Sequence, residues 1–358
     1  EEAALLRWAN YLAALPAQPA PAIPAKAPAQ AAAAPGVMRR LTHNQYNNTA
    51  RDLVGDQTLP ASQFPPEDFV HGFKNQVEAQ SVSPLLAEAY STAAERLARN
   101  AFRGGDANQL IPCRPAAPGC RDQFLRRFGR RAFRRPLTDA EVRRYGALFD
   151  REAQGDFLRG AQVAVEALLQ APGFLYRREH GPYGTASRLS YFLWDTMPDD
   201  ELFRAAAAGR LATAAQVERQ ARRMLADPRA RQALDEFVSQ WLRFDRVLST
   251  VRDRRTYPQY TPELGLAMTE ETRRLFHHLV FNDRNFTEFY SADYGFLSSE
   301  RAQLYGVPKP GEEFGLVKFP PDSDRGGVLG QATFLTLTSK PEETAPTARG
   351  LFIREQIL

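Results

Sequence analysis

The stretch that most constrains the fold covers residues 187–201 and reads SRLSYFLWDTMPDDE. Leu189, Phe192 and Leu193 recur at the three- and four-residue spacing that places side chains on one helical stripe. Tyr191 and Trp194 widen that stripe with two large aromatic rings. The pattern therefore predicts a helix that is buried over more than half of its circumference.

A sharp corner is predicted after this helix. Pro198 disfavours the helical conformation in Met197, so the first helix should end there. Asp199 has the residue type of an N-cap, and Asp200 and Glu201 suit the positive end of a helix dipole. The centre of the chain is thus a helix, a corner and a second helix, and it contains no recognisable catalytic motif.

Another local pattern, the capping box, predicts the starts of three further helices. A capping box pairs a threonine with Gln or Glu three residues later. Three such pairs occur: Thr42 with Gln45, Thr138 with Glu141, and Thr213 with Gln216. Sustained strand alternation is nearly absent, which predicts a mainly α, multi-helix globular array with long irregular loops and little or no sheet. Residues 325–339 are ambiguous between helix and strand.

Composition shifts divide the chain into four parts. Residues 1–15 predict an amphipathic helix, and residues 16–37 form an extended Pro/Ala linker that cannot build a core. Residues 38–180 are assigned to an N-terminal helical module that includes the loop with both cysteines. Residues 181–358 are assigned to a C-terminal helical module.

Bulk properties exclude several classes of protein. The chain has 358 residues, 43% of them hydrophobic and 25% charged, which is typical of a globular protein. A net charge of +4 without a recognition motif argues against a nucleic-acid partner. No apolar run reaches the roughly 18–20 residues that cross a bilayer. Because the chain opens at Glu1 without Met, we expect a processed form or a fragment.

The two cysteines, Cys113 and Cys120, lie in the Pro/Gly-rich loop IPCRPAAPGC. A loop of this kind bends back on itself, which favours a disulfide and therefore an oxidising compartment. A reduced pair without function is the alternative. The spacing is not that of a zinc site, and the five histidines show no metal-ligand spacing. Since C-x-x-C-H is missing, no covalently attached haem is expected within this chain.

An arginine-rich segment reads RDQFLRRFGRRAFRRP. On a helix, Arg126, Arg130 and Arg134 form one stripe. The stripe beside it carries Arg127, Arg131 and Arg135. One interpretation is an anion-binding or docking face. The other, which we favour, is a solvated amphipathic helix whose arginines pair with carboxylates elsewhere.

Two groups of carboxylates are candidates for a polar site. Asp195 follows Trp194 in the predicted buried helix, and a buried carboxylate needs a partner, for which Arg188 is the nearest choice. The loop QFPPEDFVHGFKNQ is a weaker candidate. It brings Glu67 and Asp68 into one segment with His71 and Asn75, and loops carry function more often than cores do.

Several long motifs occur in one order. The first half has RRLTHNQYNNTARDLVG, PPEDFVHGFKNQ and FGRRAFRRPLTDAEV, and the second half has SRLSYFLWDTMPDDELF, RMLADPRA, FVSQWL, DRGGVLGQATFLTLTS and TAPTARGLFIREQIL. Together they resemble the planctomycete-type cytochrome-associated domains of unknown function found in large secreted bacterial proteins. The resemblance covers residues 38–358.

This resemblance implies an extracytoplasmic location and a link to electron transfer. Proteins of this kind commonly carry a c-type haem domain before these modules. Residues 1–15 resemble its last helix, and residues 16–37 resemble the join. The haem-bearing part is missing, and the chain stops at Leu358 where family members usually continue, so we expect a piece of a longer protein. The resemblance assigns no catalytic residues to this chain, because none is established for the family.

Three functions therefore remain open at the level of sequence. The first is an extracytoplasmic module of a cytochrome c-linked electron-transfer or oxidoreductase system, with haem c in an attached or partner domain. The second is a non-redox module that binds a surface polymer or a partner protein. The third is a hydrolase that uses paired carboxylates such as Glu67 and Asp68.

Overall fold

The computed structural model describes residues 38–178 and 180–358. Within them the chain is mainly helical. The α-helices, in chain order from α1 to α15, are His43–Val54, Pro84–Ala101, Cys120–Phe133, Asp139–Ala153, Phe157–Gln170, Pro172–Leu175, Gly181–Leu193, Asp200–Ala207, Ala214–Leu225, Arg229–Leu242, Pro262–Phe281, Glu288–Ser291, Ser299–Tyr305, Ala332–Leu337 and Pro346–Gln356. The mainly α prediction is confirmed.

The predicted capping boxes form as expected. At the start of α1, the Thr42 hydroxyl accepts a hydrogen bond from the backbone N–H of Gln45, and the Gln45 side chain accepts one from the backbone of Thr42. The same reciprocal pairs open α4 and α9. Asp199 caps α8 through the N–H of Leu202, as predicted. Helix starts were predictable because their hydrogen bonds are local.

Four short strands form two antiparallel pairs. Strand β1 (Arg39–Arg40) pairs with β2 (Tyr176–Arg177), with Arg39 opposite Arg177. Strand β3 (Tyr294–Leu297) pairs with β4 (Gly315–Lys318). The ambiguous stretch 325–339 is helical, since it contains a 3-10 turn at Val328–Gly330 and then α14.

The predictions for residues 1–15 and 16–37 lie outside the described residues. The described residues, 38–178 and 180–358, form one compact unit. The predicted division of this unit at residue 180 stays a prediction. In the described part of the chain, no helix is both long and apolar enough to cross a membrane.

Hydrophobic packing differs along the chain. From Leu41 to Leu175 the buried side chains form one large cluster, which Tyr191 and Met197 join from the central segment. Beyond residue 180, three smaller clusters form. Helix α7 contacts both the large cluster and the helices of the second half. It packs against α8, α9 and α10, and its Tyr191 side chain belongs to the large cluster. The corner after α7 is therefore held from both sides.

Candidate functional site

Helix α7 packs through its small residues rather than its large ones. Its buried face carries Gly184, Ala186, Ser187 and Ser190 together with Tyr191. Such small side chains allow neighbouring backbones to approach closely.

The prediction that Phe192 is buried is therefore wrong, because its side chain is 80% exposed. Leu189 and Leu193, from the same predicted stripe, are only partly buried. The large apolar side chains of α7 thus lie at a surface that opens beside the helix.

The corner after α7 places a carboxylate at the base of that surface. Asp195 has φ of 53°, a left-handed conformation that aspartate tolerates better than most residues. Its side-chain oxygens accept hydrogen bonds from Asn44 Nδ2 at 2.6 Å and Gln45 Nε2 at 2.8 Å. Two neutral amides of α1 therefore hold this carboxylate, and the pairing with Arg188 stays a prediction.

The polar face of α1 makes further hydrogen bonds to the corner after α7. Asn44, Asn48 and Asp52 recur every four residues and so share one face of the helix. Asn48 Nδ2 donates to the backbone oxygen of Asp195 at 3.2 Å, and Asp52 accepts from the Thr196 hydroxyl at 2.8 Å. Asparagine and aspartate are poor interior helix formers, which is the sequence signal that could have identified this face.

The environment of Asp195 changes its acidity. Burial raises the pKa of the carboxyl group to about 7, and the nearby Glu236 carboxylate adds to the effect. The hydrogen bonds from Gln45 and Asn44 and the charge of Arg177 oppose it. Near neutral pH the group therefore exists in both protonation states, so it can donate as well as accept a hydrogen bond.

A tight turn builds the facing wall. His71 and Gly72 have φ of 50° and 84°, and Val70 and Phe73 exchange two backbone hydrogen bonds of 3.0 Å across them. Two consecutive positive φ values are typical of a type I′ hairpin turn. The turn presents Phe73 to α10, where its ring stacks on Phe237 at 5.8 Å between centroids.

Polar contacts fasten the same turn to α10. The Lys74 backbone N–H donates to Gln240 Oε1 at 3.0 Å, and Lys74 Nζ lies 3.8 Å from Glu236 Oε1. Glu236 also accepts a hydrogen bond from Gln240 Nε2 at 2.7 Å. This wall is thus fixed by one aromatic stack and by a polar network of three side chains.

Between these walls lies a cleft of about 930 Å³, which we call the central cleft. It is lined by β1, the start of α1, the segment after the turn, β2, α7, α9, α10 and the end of α11. Its lining combines aromatic and aliphatic side chains with Asp195 and Glu236, and with arginines at positions 39, 177 and 188. A large, mostly apolar cavity with a few polar groups is the usual form of a ligand site.

The residues predicted in the loop 64–76 separate in the structure. The Glu67 side chain is 4% exposed and accepts from the backbone N–H of His43 at 3.0 Å, whereas Asp68 is exposed. These two carboxylates therefore do not form a catalytic pair. His71 is an exposed turn residue, and only Asn75 lines the central cleft together with Asp195.

Glu67 belongs to a buried charged group beneath the cleft. It lies 3.6 Å from Arg40 Nη2 and 3.9 Å from His43 Nδ1. Burial raises the pKa of Glu67. Burial and the charges of Arg40 and Lys74 lower the pKa of His43 to about 4, so this imidazole is neutral at neutral pH. The arrangement anchors the start of α1.

The arginine-rich helix is α3, and its arginines differ in exposure. Arg134 is only 3% exposed and donates to the carbonyl oxygens of residues 173, 174 and 176, so it is not part of an outer face.

The other arginines of this segment lie nearer the surface. Arg131 donates to the Asp52 carbonyl at 2.6 Å, and Arg130 lies 3.6 Å from Asp200. Arg126 pairs with Asp139 at 2.7 Å, while Arg127 is exposed. Any docking face on α3 is therefore smaller than the sequence predicted.

Cys113 and Cys120 form the predicted disulfide, with an S–S distance of 2.04 Å. These are the two cysteines of the chain. A c-type haem needs cysteine thiols for its attachment, and both thiols are used here. Among residues 38–178 and 180–358, no three His, Cys, Asp or Glu side chains converge as metal ligands. The residues that are present thus do not fit a covalently bound haem.

Three family models match the chain one after another. PSD3, a protein of unknown function (DUF1587), matches residues 39–103, and PSD5, a protein of unknown function (DUF1595), matches residues 120–179. PSD4, a protein of unknown function (DUF1592), matches residues 181–307. No curated protein and no solved structure matches. The central cleft lies where all three matched segments meet.

Proposed function

Because the chain belongs to the family of proteins that carry the PSD3, PSD5 and PSD4 domains, we propose that it is the substrate-binding module of an extracytoplasmic, cytochrome c-linked system. The central cleft would bind and position the substrate. A haem c in an attached or partner domain would supply electron transfer, since a cofactor does the redox chemistry while the protein supplies binding and orientation.

The observation that carries this proposal is the central cleft itself. Its volume of about 930 Å³ is at the upper end of the range of ligand sites. Phe192 and Phe237, which are 80% and 50% exposed, keep apolar surface open to this space. Large aromatic side chains left exposed around one cavity are a common mark of a binding site.

The disulfide supports the location that we propose. Such bonds persist in the oxidising compartments outside the cytoplasm and are rare within it. Cys113 and Cys120 close a short loop that ends at the first residue of α3. The bond thus favours an extracytoplasmic module.

Purification from the native source tests the link to a cytochrome. We expect an intact mass well above the 40.1 kDa of this chain, or a copurifying subunit, together with a haem Soret band. A mass near 40.1 kDa without a visible chromophore would remove the redox part of the proposal. The binding role of the central cleft would then have to be tested by itself.

A non-redox binding module is the second candidate. Exposed rings of Phe192 and Phe237 along an open cleft are also what a surface polymer would contact. A polymer pull-down with wild-type protein and with the Phe192→Ala variant separates the candidates. Polymer binding that needs Phe192, in a native protein without haem, would favour this second function.

A protein partner is the other form of this second candidate. Arg126 and Arg127 are the exposed arginines of α3, whereas Arg131 has an internal partner in the Asp52 carbonyl. Reversing Arg126 and Arg127 to glutamate would therefore test docking without disturbing the contact between α3 and α1. If partner binding is unchanged, these arginines are solvated surface residues.

A further inference from the structure

The central cleft has an apolar part made by side chains from several helices. Phe192 from α7 is 80% exposed, Phe237 from α10 is 50% exposed, and Leu225 and Val280 are each 42% exposed. Scattered apolar residues on a surface need no explanation, but four around one cavity do. A ligand with an apolar body would remove this surface from water.

Asp195 forms the polar end of the same cavity. Each side-chain oxygen accepts one hydrogen bond from an amide of α1, and each oxygen has a second acceptor site. The neighbouring Thr42 hydroxyl accepts from the backbone N–H of Gln45, which leaves its proton to be donated. Asp195 and Thr42 both line the cleft. The polar end thus offers both acceptors and donors.

Charges of both signs surround this end. Glu236 and Asp195 are acidic, whereas Arg39, Arg177 and Arg188 are basic. A ligand with a net charge would therefore meet like charge on one side of the cleft. It would also lose hydration on entering an apolar cavity, which costs far more for an ion than for a neutral polar group. The mixture of charges favours an uncharged polar group.

We propose that the ligand of the central cleft is an uncharged molecule with an apolar body and a hydroxyl or carbonyl group at one end, and that Asp195 hydrogen-bonds to that end. This inference rests on the proposed binding function of the cleft. It names the class of substrate and its anchoring residue, which neither the family matches nor the proposed function specifies.

Three probes with one hydrocarbon chain and different head groups test the class. Equilibrium dialysis or calorimetry on the full chain would measure the dissociation constants of 1-octanol, octanoate and octylammonium at one pH and ionic strength. We expect 1-octanol to bind at least ~10-fold more tightly than either ion, because a hydrogen bond is retained while the desolvation of a charge is avoided.

Three variants test the parts of the cleft separately. Phe192→Ala should weaken the binding of all three probes by a similar factor, since it removes contact with the shared chain. Asp195→Gly removes the carboxyl group while glycine accepts the left-handed backbone without strain, and it should weaken 1-octanol by about tenfold without weakening octanoate. Phe286→Ala is the matched control, because Phe286 is 50% exposed but does not line the cleft.

The outcomes separate this inference from the proposed function. If Phe192→Ala weakens binding but an ionic probe binds as tightly as 1-octanol, or if Asp195→Gly leaves the 1-octanol affinity unchanged, the cleft binds ligands but the inferred class is wrong. If no probe binds, or if Phe192→Ala and Phe286→Ala have equal effects, both the inference and the proposed site are overturned.

Discussion

The regions before and after residue 180 bury their apolar side chains in different ways. Before it, helices α1 to α6 enclose one large cluster with fully buried rings such as Phe124 and Phe174. After it, three smaller clusters form, and a charged pair, Glu271 and Arg301, is buried between helices. Among residues 38–178 and 180–358, thirteen large apolar side chains are exposed in the second region against six in the first.

This difference indicates that fold stability and ligand binding depend mainly on different regions of the molecule. A large cluster of fully buried side chains stabilises the fold, because each buried ring contributes through burial and close contact. The second region, with its smaller clusters, leaves more of its apolar side chains exposed to solvent. Four of these exposed side chains line the central cleft. We therefore expect the first region to be a rigid support and the second to supply most of the ligand contacts.

The largest expected effect contrasts one phenylalanine from each region. Phe124→Ala should lower the free energy of unfolding by about 3–5 kcal/mol, because Phe124 is fully buried against Phe102, Phe128, Phe149 and Phe157. Phe192→Ala should change it by less than about 0.5 kcal/mol. Denaturant titration of both variants measures their free energies of unfolding. Equal losses in the two variants would contradict the difference between the regions.

The buried charged pair of the second region gives the next prediction. Arg301 contacts Glu271 and Tyr305, yet Arg301 Nε, Arg301 Nη1 and Glu271 Oε1 are buried without hydrogen-bond partners. Arg301→Met should cost about 3 kcal/mol or more, because it leaves the Glu271 charge buried alone.

The double variant Glu271→Met with Arg301→Met is the control for this pair. It should be more stable than either single variant, since both desolvation costs disappear together. Chemical denaturation of the four proteins in this cycle measures the coupling. If the two single losses simply add, the pair is not a coupled buried unit.

How much of this molecule the sequence predicts depends on whether an interaction is local. Thr42 and Gln45, or Asp199 and Leu202, lie within one helical turn, so their residue types and spacing suffice. Phe192 depends on which face of α7 meets α8, α9 and α10, and its periodicity could not decide between a large apolar face and one made of small residues. The amides that hold Asp195 are some 150 positions away in sequence.

The acidity of Asp195 predicts a pH dependence of stability. Its pKa is about 7 when folded, against 3.8 for an ordinary aspartic acid. Between these values the folded state keeps a proton that the unfolded state has lost, so the free energy of unfolding falls as pH rises from about 4 to about 7. The total change is on the order of 4 kcal/mol, at about 1.4 kcal/mol per pKa unit.

Asp195→Asn isolates this contribution, because asparagine does not titrate and tolerates the left-handed backbone. The stability of the wild-type protein relative to this variant should decline from pH 4 to pH 8. Phe192→Ala, which removes no titratable group from the same cleft, is the control and should show no such trend. A pH-independent difference between wild type and Asp195→Asn would contradict the assigned pKa.

The disulfide provides the smallest predicted effect. Cys113 and Cys120 close a loop with a sequence separation of 7 residues. A loop this short removes little entropy from the unfolded chain, so replacing both cysteines by serine should cost about 2 kcal/mol. The loss should be confined to stability, with probe binding in the central cleft unchanged. Altered binding would mean that the cysteine loop also supports the cleft.

The central claim is that ligands bind in the cleft between α7 and α10. Photoaffinity labelling of the full chain with an alkyl alcohol that carries a diazirine, followed by peptide mass spectrometry, tests this location most directly. We predict labels on peptides that contain Phe192 and Phe237, which excess 1-octanol suppresses. Labels concentrated instead at exposed apolar residues away from the cleft, such as Val251 or Phe286, would contradict the account.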